Sequence, residues 1–150
     1  MQNATNQKCQ LETGGLLAGY FSADNSEVVV TKIVTAGPNA VHGIYSYVPD
    51  YEADREAIGK IYDETDGLES YLGDWHSHPI GGAYLSWRDR RALKNIARFE
   101  GNFVESPVML IIGLDLDDIP YWKAWRIFRN PGSFLISRWC FQELEARIFE

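Results

Sequence analysis

Gly73-Asp-Trp-His-Ser-His-Pro-Ile-Gly-Gly-Ala-Tyr-Leu-Ser-Trp-Arg-Asp89 holds the end of a strand, a loop and the start of a helix. Tyr71 to His78 is a short strand that Pro79 ends, because proline cannot donate to a ladder. Gly81-Gly82 make residues 79–85 a flexible loop, and Ser86 then opens a helix. Side chains alternate along a strand with period two, so His76 and His78 share a face and their imidazoles converge. Ser86 and Asp89 stand three apart on the first helical turn. Asp89 is in register with Ala92, Leu93 and Ile96, the stripe expected to face the sheet. An ionised aspartate on an inward face needs a partner, and the loop brings this one back to the histidines. Two imidazoles and one carboxylate, with a position left for water, are the donor set of an open catalytic zinc site.

Outward from that stretch, Glu27 to Val34 is β-branched and short enough to be a strand, and Ala36-Gly-Pro-Asn39 turns the chain. From Pro49 a first helix is expected, capped by Asp50, with Tyr51, Arg55, Ile58, Ile61 and Tyr62 at helical spacing and Asp66-Gly67 as its stop. Val108 to Leu114 and Tyr121 to Phe128, joined by Asp115 to Pro120, have the composition of a hairpin of central strands. In Ser133 to Glu150, Leu144 and Ile148 with charges between them suggest a terminal helix. Strands and helices in this order indicate an α/β (α+β) fold with a mixed central sheet flanked by helices. No repeat or low-complexity stretch divides the chain, so residues 1–150 read as one domain.

Composition narrows the functional classes. Hydrophobic residues make up 45% and charged residues 23%, the balance of a chain that folds. The net charge of −7 repels phosphate backbones and anionic membranes, so neither nucleic acid nor membrane is an expected partner. The first ten residues are polar and resemble no signal or transit peptide, and no apolar run reaches a membrane span, so a cytoplasmic location is expected. Cys9 and Cys140 are isolated and read as reduced cysteines, not zinc ligands. Arg88, Arg90, Arg91, Lys94 and Arg98 read as a solvated helix face, as do the eight acids between Asp50 and Glu69. His42 and the acidic turn at Asp115, Asp117 and Asp118 have no evident role.

Taken singly, the site motifs have plain structural readings. Ser86-x-x-Asp89 is a helix cap with an acid near the positive end of the dipole. A His-x-His pair on one strand face is often held by carbonyls or carboxylates. Their conjunction is more informative: with 9 serines and 10 aspartates in 150 residues, both fall at these offsets by chance about 1 time in 250.

The full pattern, His76-Ser-His78, seven residues, then Ser86-Trp-Arg-Asp89, resembles the JAMM motif of the MPN (JAB) domain zinc metalloproteases, in particular their small free-standing bacterial branch. Glu12-Thr-Gly-Gly-Leu-Leu-Ala-Gly19 is similar to the setting of that family's upstream glutamate, which a strand and a helix normally precede; here eleven residues do. Its paired glycines allow a close strand neighbour. The resemblance implies the cytidine deaminase-like architecture of MPN domains. It further implies one zinc ion on His76, His78 and Asp89, with Glu12 as general acid and base for the zinc-bound water. Ser86 would donate to the tetrahedral oxyanion. The implied activity is hydrolysis of an isopeptide or peptide bond at the C-terminal tail of a ubiquitin-like or sulfur-carrier protein or its conjugate. The alternative is a non-catalytic MPN-type scaffold, a class whose members usually lack ligands. A nucleobase deaminase would want a Pro-Cys-x-x-Cys segment, and this chain has none. Trp75 is expected in the core, pointing away from the histidines.

Overall fold

Six β-rich segments pair into one sheet with the order β2-β1-β5-β6-β7-β8 in the computed structural model, which describes residues 11–99, 104–130 and 138–149. The elements are β1 (Gly14–Phe21), β2 (Val28–Thr35), β3 (Val41–His42), β4 (Tyr47–Val48), α1 (Tyr51–Glu64), β5 (Ser70–Ser77), α2 (Trp87–Arg98), β6 (Val108–Leu114), β7 (Pro120–Asn130) and β8 (Arg138–Leu144). Every neighbouring pair in the sheet is antiparallel except β5 and β6. A parallel pair needs a crossover, and α2 lies within it. β3 and β4 form a separate small hairpin.

Gly14 and Gly15 let β1 run close between its neighbours: a Cβ on Gly15 would meet the Val34 carbonyl and the Trp75 indole, and one on Gly14 the Trp75 carbonyl and the Tyr47 ring. One buried cluster joins Leu93 of α2 to Met109, Ile111, Trp125 and Ile127. The other gathers Leu17, Leu72, Val108 and Ala124, with Trp75 against it. Met109 and Ile111 pair with Asp74 and His76, and paired residues share a face. The histidines therefore project from the side of the sheet that α2 covers.

Both helices start where expected. Asp50 caps α1, its carboxylate accepting from the N–H groups of Asn39 (2.9 Å) and Ala53 (3.3 Å). The chain leaves α1 through Asp66 and Gly67, both at positive φ, where glycine carries no Cβ penalty.

Three expectations are corrected. Arg138–Leu144 is the strand β8 at the sheet edge, not part of a terminal helix; residues 133–137 lie outside the described residues. The alternating Trp139 and Phe141 pack on the α2-side cluster, so period two governs where Leu144 and Ile148 suggest a helical period. In α1, Tyr51 and Tyr62 are 74% and 52% exposed, and the buried residues are Asp54 and Ile61, seven apart on one face. In α2, Leu93 is fully buried and Ala97 packs on its cluster, while Ala92 is exposed.

Candidate metal centre

The site is built where β5 ends and α2 begins. The His78 N–H still donates to the Ile112 carbonyl (2.7 Å), so the ladder holds the chain straight to the residue before Pro79. The loop then folds back, and the Gly82 carbonyl lies 3.1 Å from His78 Nδ1. A carbonyl only accepts, so Nδ1 carries the proton and Nε2 presents its lone pair. At the head of α2, the Ser86 N–H donates to Asp89 Oδ2 (2.8 Å) and the Asp89 N–H to Ser86 Oγ (3.3 Å). This reciprocal cap fixes the Asp89 rotamer and points its carboxylate at the histidines.

His76 Nε2 is 3.1 Å from His78 Nε2 and 3.2 Å from Asp89 Oδ1, and His78 Nε2 is 3.8 Å from Asp89 Oδ2. Donors bound at about 2.0 to 2.2 Å to one tetrahedral ion stand about 3.3 to 3.6 Å apart. The three distances bracket that spacing, and the side chains are only 11–12% exposed. Two imidazole nitrogens this close need a proton or a cation between them. The residues present thus fit a single metal ion, with one donor atom from each lying within 4.8 Å of the others. Burial works against the Asp89 charge, but hydrogen bonds and charge from His76, together with Ser86, hold its carboxyl down at about 2.

Glu12 enters from the loop before β1, and its main chain is held on both sides. Its N–H donates to the Gly43 carbonyl (2.7 Å), and its own carbonyl lies 3.0 Å from His42 Nδ1. The next residue, Thr13, exchanges hydrogen bonds with Ser77: its N–H reaches Ser77 Oγ at 3.1 Å, and the Ser77 N–H reaches its carbonyl at 2.8 Å. Gly14 then pairs with His76, which sets Glu12 beside the end of β5. Burial raises the Glu12 carboxyl pKa, with His78 and His76 pulling it down and Asp89 pushing it up. Its charge therefore feels all three donor residues. Of the residues singled out in the sequence, His76, His78 and Asp89 bring donor atoms together, Ser86 is bonded to Asp89 at the head of α2, and Glu12 lies in electrostatic reach of the three.

Two features escaped the sequence reading. His42 holds the main chain of Glu12 and packs on Tyr47 at 5.5 Å. Arg88 Nη1 ties the β3–β4 hairpin to α2 by donating to the Tyr45 carbonyl (3.1 Å). The only signal for His42 was that it is the one histidine outside the His76–His78 pair. Behind the site, the Tyr71 hydroxyl donates to Asp74 Oδ1 (2.7 Å), and burial pushes the Asp74 carboxyl up to about 6. Trp75 turns away as expected, its indole N–H donating to the Val34 carbonyl at 2.9 Å.

The family model described as prokaryotic homologs of the JAB domain matches residues 2–128. The chain belongs to the prokaryotic JAB family. Among curated relatives, it is 37% identical over 103 residues to the probable metalloprotease y4qB of Sinorhizobium fredii, covering 68% of this chain and 62% of that protein. It is 31% identical over 104 residues to a CD-NTase/cGAS isopeptidase of Enterobacter hormaechei subsp. hoffmannii, covering 69% and 56% respectively. The chain thus spans about three-fifths of the length of these relatives. Among solved structures, the solution structure of DSY2949 from Desulfitobacterium hafniense superimposes with a TM-score of 0.50 at 25% identity, over 78% of this chain and 70% of that one. The mixed sheet and the two helices among the described residues agree with a JAB domain, the architecture expected from the sequence.

Proposed function

We propose that this JAB protein is a zinc-dependent hydrolase of isopeptide or peptide bonds, acting at the C-terminal tail of a ubiquitin-like or sulfur-carrier protein or its conjugate. The observation that carries this reading is the convergence of His76, His78 and Asp89, with the raised Glu12 carboxyl in electrostatic reach of them. Relatives named as a metalloprotease and an isopeptidase support the reaction class.

His76, His78 and Asp89 would hold the ion, with the His78–Gly82 and Asp89–Ser86 hydrogen bonds fixing the donor atoms. When bound, zinc supplies Lewis acidity that polarises a carbonyl and makes hydroxide available near neutral pH. Glu12 takes the proton of the attacking water and passes it to the leaving amine as the C–N bond breaks. A carboxyl raised by partial burial suits both halves of that transfer. Ser86 Oγ already accepts the Asp89 N–H, which leaves its O–H free to donate to a developing oxyanion beside the α2 N-terminus. The single-domain organisation over residues 1–150 belongs to the same proposal.

The test is Glu12→Gln. The variant retains zinc at wild-type stoichiometry and cleaves a ubiquitin-like fusion at least 100-fold more slowly. Cleavage at the wild-type rate would remove Glu12 from the mechanism, and absence of zinc from the wild-type protein would remove the metal.

A further inference from the structure

We propose that the outer face of α2 is a docking surface for a short carboxylate-rich segment of a partner protein. The helix carries Arg88, Arg90, Arg91, Lys94 and Arg98 against one acid, Asp89, which is committed to the histidines. The remaining chain sets 9 basic residues against 20 acidic ones. Exposed lysines elsewhere find carboxylates: Lys32 with Glu69, Lys60 with Glu64 and Lys123 with Glu143. Among the described residues, none of the five α2 cations pairs with an acid. Arg90, Lys94 and Arg98 follow one another at i,i+4, a like-charge ridge that destabilises an isolated helix. A face selected only for solvation would alternate its signs, as Lys60 and Glu64 do.

The charged heads are also held in place. Arg90 and Lys94 lie over the Phe141 ring at 4.9 and 5.6 Å, and Arg98 over Trp139 at 5.8 Å. Arg90 Nε further donates to the Leu85 carbonyl at 3.3 Å. Between Trp87, Arg90, Arg91, Lys94, Asn95 and Arg98 lies a cavity of about 430 Å³. Cations fixed along a groove give up less side-chain freedom when an anion arrives.

The length of the patch selects the partner. Twelve helical residues span about 18 Å, the reach of five or six extended residues. A duplex places one phosphate about every 1.7 Å and would extend past α2 onto a chain whose other residues carry 9 basic against 20 acidic groups. A run of about six Asp or Glu residues matches the length of the helix.

The experiment measures binding of fluorescein-labelled hexaglutamate and hexathymidylate to the whole chain by fluorescence anisotropy. It needs no turnover, so it stands or falls apart from the proposed hydrolase. Hexaglutamate is expected to bind at 50 mM NaCl and to weaken at least tenfold at 300 mM. The same loss is expected in Arg90→Gln/Lys94→Gln/Arg98→Gln, which keeps most of the aliphatic stems on the rings. The charge-matched variant Arg55→Gln/Lys60→Gln/Lys123→Gln is expected to bind as wild type, and thermal melting verifies that both variants fold. Three results would each overturn the proposal: no hexaglutamate binding to the wild type, equal binding by the α2 variant, or tighter binding of hexathymidylate. Sedimentation showing a wild-type dimer that the α2 variant loses would instead assign the face to a second copy of the chain.

Discussion

Each helix buries an aspartate of its first turn, and the two carboxyls behave in opposite ways. Asp54 of α1 is 6% exposed, its Oδ1 has no partner among the described residues, and burial, then the neighbouring charge of Asp50, raises its pKa. Asp89 of α2 is buried beside His76 and Ser86 and held at about 2. Burial alone makes an acid give up its charge; burial among oriented donors makes it keep that charge for a cation. An inward aspartate is therefore a ligand only where the surrounding geometry presents other donors to the same point.

Exchanging each carboxylate for its amide separates the two cases. Asp89→Asn removes an anionic ligand and should weaken zinc binding by at least 100-fold in a competition titration. Asp54→Asn should leave zinc affinity unchanged and raise stability at pH 7 by about 1 kcal/mol in urea denaturation, since an unpartnered buried charge is gone. Equal effects of the two substitutions on zinc would break the comparison.

The pH dependence of the metal-free protein sharpens it. The depressed Asp89 contributes stability above the unfolded-state value of about 3.9, and that contribution is lost as pH falls toward 2. Asp54 and Asp74 are raised, Asp74 to about 6, so their contribution is present below about 4 and is lost as pH rises through the raised values. Urea midpoints of the metal-free wild type should therefore rise from pH 2 to 4 through Asp89 and decline from pH 4 to 6 through the other two. Asp54→Asn should flatten part of the decline and leave the rise intact.

The same contrast explains what the sequence made legible. The roles assigned to His76, His78, Ser86 and Asp89 rest on fixed local offsets, and strand and helix periods convert those offsets into directions. The β1 glycines were readable because close strand approach demands them. Burial of Asp54 was not readable: Tyr51 and Tyr62 offer a more apolar stripe, yet the groups that surround Asp54 electrostatically, Tyr47, Tyr71 and Asp74, come from other elements. β8 was hidden because Leu144 and Ile148 fit a helical spacing, while Trp139 and Phe141 gain meaning only beside β7 and beneath the α2 cations. β3 and β4, at two residues each, are too short to show a period, and the partner of His42 is a main-chain carbonyl 30 residues away.

X-ray absorption at the zinc edge of the loaded protein probes the proposed ligand set itself. The account predicts one zinc per chain with only nitrogen and oxygen neighbours at about 2.0 to 2.2 Å, two of them showing imidazole multiple scattering. A sulfur shell at about 2.3 Å, or an imidazole signal that survives replacement of both His76 and His78, would contradict it.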